Sequence, residues 1–227
     1  WAYDPESEEL FIYADPRFIP TATNVRIRVL HRMIHMRRVV NLEFKNLEFF
    51  GGAIKVEGVN ILFEDCEFKQ LHDITLPAHM NRGDLCTGIY TWNAEFVNCR
   101  FSEIPYVYPV KIRGIKSRVE NCHFTNMDWW ANPGGGAAEL GNIARYVTFE
   151  NSKVGGLGGS HLMGYCRIED FKDPCDCSGI NRGAHGAPRS MTRYNWIING
   201  PGANGIRIDG GANGAGNRRG DIHHIIT

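Results

Sequence analysis

From residue 38 onward the chain is built of short runs in which apolar and charged positions alternate. In the run at 63–68, Phe63, Cys66 and Phe68 are set against Glu64 and Glu67. That is the period of a strand with one side buried, broken by a single offset at Asp65. No segment holds a 3.6-residue period over two or three turns, so the pattern predicts strands throughout and excludes a helical solenoid. The offset recurs. "FKNLEF" (44–49), "FEDCEF" (63–68), "FVNCRF" (96–101), "VENCHF" (119–124) and "FENSKV" (149–154) share an order of apolar, any, Asn or Asp, small, any, apolar. A unit of about 20 residues therefore repeats, lengthened in places by insertions.

Asn and Asp accept the left-handed backbone conformation more readily than other non-glycine residues and can turn a strand within two positions. Asn46, Asp65, Asn98, Asn121 and Asn151 are thus expected at equivalent corners of stacked coils, their side chains forming ladders. The slot after the corner is expected to point inward, which makes Cys66, Cys99 and Cys122 buried free thiols. "YNWIINGPGANGIRIDG" (194–210) repeats the same phrase as strand, corner, strand and glycine exit. A β-sandwich would also alternate, but it does not repeat one corner at a fixed period.

With strands, corners and period in this order, residues 38–227 resemble the right-handed parallel β-helix of the pectate-lyase-like superfamily. The fold class expected is all-β, a parallel β-helix solenoid. Residues 1–37 read as a cap or lead-in, because "ELFIYADP" and "NVRIRVL" alternate like an antiparallel hairpin. The opening Trp1 and the closing "DIHHIIT" read as cuts within a longer protein, truncating the solenoid at its C-terminal side. Lead-ins of this type resemble those of secreted bacterial β-helix proteins acting on polysaccharides, which implies a secreted or cell-surface location.

Composition narrows the partners. Lys+Arg and Asp+Glu both number 25, so the net charge is zero and no basic footprint argues for nucleic acid. No apolar run approaches the length of a membrane-spanning helix. Seven cysteines cannot all pair within one chain. Cys175 and Cys177 stand closer together than a CxxC metal knuckle, and the scattered histidines form no ligand pattern, so no metal site is assigned.

Chemistry is expected where insertions leave the coils, since loops on a rigid scaffold commonly carry function. The longest are 69–93, 126–142 and 171–190. The third collects Asp173, Asp176, Arg182, His185 and Arg189 just after Asp170, and coil stacking turns it toward Arg207, Asp209, His223 and His224. Asp209 with Asp170 or Asp176 would make a carboxylate pair for glycoside hydrolysis. Arg182, His185, Arg207 and His223 would position an extended polysaccharide, and Trp129 and Trp130 offer rings for sugar stacking. A uronate lyase or epimerase is the alternative. It needs a cation to acidify the proton beside the carboxylate, with a Lys, Arg, His or Tyr base, and calcium in that case only; otherwise no cofactor is expected. A non-catalytic carbohydrate-binding or adhesive β-helix is the third possibility. Polygalacturonases of this fold carry an Asp pair, Gly-His-Gly and Arg-Ile-Lys. Here His185-Gly186 and Arg207-Ile208 match pieces of these, Asp209 replaces the Lys, and no adjacent Asp pair occurs.

Overall fold

Alternation of this kind can close into a stack only if every coil turns at the same places, and three turning points per coil are what the structure contains. The computed structural model describes residues 2–4, 6–7, 9–11, 21, 32–71, 88–104, 110–127, 138–152, 156–158, 160–171, 178–182, 191–200, 204–208 and 225–226. Within them the chain is an all-β parallel β-helix whose coils have three faces. The first two faces run together in one 13-stranded sheet, and the third is a separate 7-stranded sheet. Arg32–Lys45, Ala53–Glu64 and Ile89–Val97 are long strands that pass through the first and second faces without a break. In later coils each divides in two, as in Val110–Arg113 and Arg118–Glu120. Pairing between coils is parallel throughout the described residues, for example Phe63↔Phe96 and Phe124↔Phe149.

An antiparallel hairpin joins Ala2–Asp4 to Glu9–Phe11, so the described partner of "ELF" lies upstream of it and not in "NVRIRVL". "NVRIRVL" (24–30) lies outside the described residues. Parallel stacking already begins at Arg32↔Ala53, inside the stretch expected as a lead-in.

Inward positions stack like on like. Phe44, Phe63 and Phe96 pile up beneath the second face with centroids 4.7 Å apart. Phe49, Phe68, Phe101 and Phe124 do so beneath the third, at 5.1, 4.8 and 4.2 Å. Cys66, Cys99, Cys122 and Cys166 are buried free thiols, as expected for the first three. Each donates to a carbonyl of the coil before: Phe44, Phe63, Phe96 and Ala144. Burial pushes the Cys66 thiol up, and the hydrogen bond with Cys122, with burial behind it, pushes Cys99 up further. In the same slot Asn195 replaces the cysteine. Its amide accepts from the Cys166 backbone N–H at 2.9 Å and donates to the Met163 carbonyl, so the polar substitution is satisfied.

The corners require one correction. Asn46, Asp65, Asn98 and Asn121 do occupy equivalent corners between the second and third faces, each with φ between 51° and 55°. Each donates its N–H to the following coil, as in Asn98 to Glu120 at 3.1 Å. Asn121 also donates to Asn98 Oδ1 at 2.8 Å. Asn151 belongs to the next corner instead, between the third and first faces, with Gln70, Glu103, Asn126, Asp170 and Asn199. The pairing Phe124↔Phe149 fixes this shift, since Phe149 stands on the third face and not on the second. "FEN" imitates "FVN" because both corners follow an alternating strand with a left-handed Asn.

The residue truly equivalent to Asn121 in the next coil is Tyr146, followed by Tyr165 and Tyr194, with φ of 54°, 58° and 55°. Their rings stack at 5.3 and 5.1 Å and remain about half exposed. Left-handed backbone costs an ordinary L-residue about 1–2 kcal/mol, so three tyrosines forgo about 3–6 kcal/mol. Two ring pairs return about 1–3 kcal/mol. Stacking alone does not offset the backbone, and asparagine would avoid most of the cost.

Candidate functional site

The outward side of the first face carries a cluster of cations, carboxylates and aromatic rings. Its strands alternate strictly, so that Ile54, Ile89, Val110 and Ala138 point into the core and the residue after each points out. Register then builds a column: His35, Lys55, Tyr90, Lys111, Glu139, Gly158, Asn181 and Arg207. A second column, two residues along each strand, contains Arg37, Glu57, Trp92 and Arg113.

The geometry centres on the Tyr90 ring. Lys55 Nζ lies 4.7 Å from its centroid and Arg113 Cζ 6.0 Å, within cation–π range. Lys55 also pairs with Glu57 at 3.4 Å. Arg113 donates through Nε and Nη2 to Glu139 Oε2, both at 3.1 Å. Trp92, beside Tyr90 on the outer column, is 45% exposed. Lys111 is different. It projects from the outer side of the sheet yet is only 4% exposed, and lysine is seldom buried so completely. Gly158, two places further along the same column, is buried as well. The column therefore runs from an open aromatic end at Trp92 and Tyr90 into a covered end at Lys111.

These groups can hold an anion. Arg37, Lys55, Lys111 and Arg113 outnumber Glu57 and Glu139, and both glutamates are already engaged by cations. Among the described side chains of the two columns cations therefore outnumber carboxylates, beside two aromatic residues in a strip running across coils. Besides the two engaged glutamates, His35, Tyr90 and Lys111 are the members whose side chains can exchange a proton.

No family model matches the chain, and no curated protein or solved structure matches it.

The residues singled out in the sequence distribute as follows. Asp170 is exposed at the corner between the third and first faces, with φ of 52°, and accepts from Asn199 Nδ2 at 3.2 Å. Its N–H bonds to the Ile198 carbonyl, so the structure gives it the same backbone duty as Asn126 and Asn151. Arg207 occupies the column of Lys111 and Glu139 by register, and Arg182 pairs with Ile208 in the neighbouring column. Asp176, Asp209, His185, His223, Trp129 and Trp130 lie outside the described residues, as do Cys175 and Cys177. The insertion expected at 171–190 is corrected: Ser178–Arg182 is a first-face strand within it, and it joins the sheet by pairing with Leu157–Gly158.

Lys55, Tyr90, Trp92, Lys111, Arg113 and Glu139 were not singled out from the sequence. Lys55, Lys111 and Arg113 sit in alternating strands and read there as ordinary outward polar residues, whereas Tyr90, Trp92 and Glu139 fall in the stretches 69–93 and 126–142 expected as insertions, where the structure has the strands Ile89–Val97 and Ala138–Leu140. The available signal was the alignment itself: stacking "AIKVE", "GIYTW" and "PVKIR" puts Lys, Tyr and Lys in one column. Among the described residues no group of three or more His, Cys, Asp or Glu side chains is placed to hold a metal ion. Among them no helix is long and apolar enough to cross a membrane.

Proposed function

We propose that this chain is a polysaccharide-active β-helix protein of the pectate-lyase-like type, and that its first face engages an extended acidic glycan. The observation that carries the reading is the column joining Lys55, Tyr90 and Lys111, flanked by Arg113 and Trp92, because it gathers cations around a tyrosine and sets an exposed indole ring beside them along a line. The resemblance that suggested a polysaccharide also suggests a secreted or cell-surface setting.

The chemistry favoured by these residues is eliminative cleavage. Lys111 and Arg113 would neutralise a uronate carboxylate, which acidifies the proton on the adjacent carbon. A base takes that proton, the released pair forms the ring double bond, and the bond to the glycosidic oxygen breaks. The departing oxygen then gains a proton. Tyr90 is the group for this exchange, its ring held between Lys55 and Arg113. Hydrolysis by a carboxylate pair remains tied to Asp209 and Asp176, since both described glutamates of this face are committed to cations.

Incubation with polygalacturonate, alginate, dextran sulfate and neutral dextran tests the proposal, reading reducing ends and ultraviolet absorbance together. Elimination gives both signals on a uronate polymer and loses both in Tyr90→Phe, which keeps the ring and removes only the hydroxyl. Reducing ends without absorbance would make the reaction hydrolysis. Binding without either signal would make the face a non-catalytic glycan site, and no interaction with any acidic glycan would end the proposal.

A further inference from the structure

The tyrosine corner lies between the second and third faces, opposite the first face in a three-sided coil, and has no part in the chemistry above. Tyr146, Tyr165 and Tyr194 take a strained left-handed backbone where the four preceding coils use Asn or Asp, and their stacking does not offset that strain. Strain kept at an exposed position points to a function. Because the rings cover one another's faces, they present hydroxyls and ring edges to solvent. The edge is the positive part of an aromatic quadrupole, and the hydroxyl is a donor.

Cations accompany them. Arg145 and Arg193 stand immediately before Tyr146 and Tyr194 in one register column, separated by Gly164. A Cβ at Gly164 would meet the Arg193 carbonyl oxygen at 3.4 Å and Arg193 Cγ at 3.7 Å, so the arginine stem lies across the glycine. Its guanidinium is 5.8 Å from the Tyr194 ring centre. Among the described residues neither Arg145 nor Arg193 forms an ion pair, whereas in earlier coils of this column Lys45 pairs with Glu64 and Glu120 with Arg118. Glu120 is the register neighbour of Arg145, but it is paired with Arg118 at 3.0 Å, so carboxylate balances the cations along the asparagine half of the corner and engages neither arginine beside the tyrosines.

We propose that the tyrosine corner is a second glycan-binding strip, which holds a linear anionic polysaccharide along the solenoid axis. It rests on the acidic-glycan reading of the first face and adds to it: one polymer stretch occupies the reacting face while another is retained at the opposite edge. The recognised chemistry is a row of anionic oxygens, carboxylate or sulfate, met by phenol donors and two arginines.

The test is gel retardation in polygalacturonate, in dextran sulfate and in neutral dextran, using the whole chain. The variant Tyr146→Asn/Tyr165→Asn/Tyr194→Asn installs the residue the earlier coils use, so the fold is kept and the thermal midpoint should hold or rise. Its affinity for the anionic gels should fall by about tenfold or more. Arg145→Gln/Arg193→Gln should do the same, and neutral dextran should retard no form. Lys111→Met should leave retardation largely in place while losing turnover on short uronate oligomers. Retardation by only one anionic gel would assign the strip to carboxylate or to sulfate. Undiminished retardation of the folded triple tyrosine variant, or none for the parent, would overturn the strip. If retardation depends on the tyrosines but Lys111→Met and Tyr90→Phe change nothing on oligomers, the first-face reading falls and the strip stands.

Discussion

Replacing Lys111 by Met tests the first face most directly, because the two side chains have similar length and only the charge is removed. At 4% exposure the ammonium has little water to lose when a ligand arrives, so a contact with a carboxylate keeps most of its strength. A charge-assisted hydrogen bond of this type contributes about 1.5–3 kcal/mol. At about 1.4 kcal/mol per decade, the dissociation constant for a uronate oligomer should rise roughly 10- to 100-fold. Lys111 has a partner within the protein, so the substitution also alters the stability of the unliganded chain. The assay must cancel that effect. Ligand-induced stabilisation does so, since each form is compared with itself. At a ligand concentration 100 times the parent Kd, the parent gains about 2.7 kcal/mol. A variant 100-fold weaker gains only about 0.4 kcal/mol by the same relation. At 2–4 °C per kcal/mol for a chain of this size, the thermal shift drops from about 5–10 °C to about 1 °C. A variant that keeps the parent's full shift would refute the role given to Lys111 and with it the covered end of the site.

Phe101→Ala removes a fully buried ring stacked between Phe68 and Phe124, and should cost about 3–5 kcal/mol in denaturant unfolding. A loss below about 2 kcal/mol would mean the column relaxes into the gap. Asp170→Asn should leave fold and turnover intact, because Asn fills the same corner in neighbouring coils; lost activity with retained fold would restore Asp170 as a catalytic acid. The four buried thiols should resist a thiol reagent in the native state. Cys66 and Cys99 have native values raised above those of the unfolded chain, so the stability they contribute is fully present below about pH 8.5. It is lost as pH rises beyond that, because only the unfolded chain can ionise them there. Denaturation midpoints between pH 7 and 10 should fall less in a Cys66→Ala/Cys99→Ala variant than in the parent.

The fold was legible because its determinants are local. Strand alternation, a left-handed residue after each strand and a small inward residue after that repeat within a few positions, so Asn46, Asp65, Asn98, Asn121 and the three cysteines could be placed from letters alone. The same locality produced the error at Asn151. Two corners of one coil obey the same rule, and only the pairing of Phe149 with Phe124 tells which corner a segment occupies. The Tyr146, Tyr165 and Tyr194 corner escaped notice because tyrosine has no local preference for left-handed backbone; stacking coils hold it there. The first-face site is further from the sequence still. Lys55, Tyr90, Lys111 and Glu139 are separated by insertions of unequal length, and no local rule aligns them. Backbone hydrogen bonding between coils sets their register, and register alone turns four scattered outward residues into a column. Burial of Lys111 depends on what lies over the column, so it too belongs to the tertiary structure: alternation fixes which side of a sheet a residue faces, and only packing decides whether that side meets water.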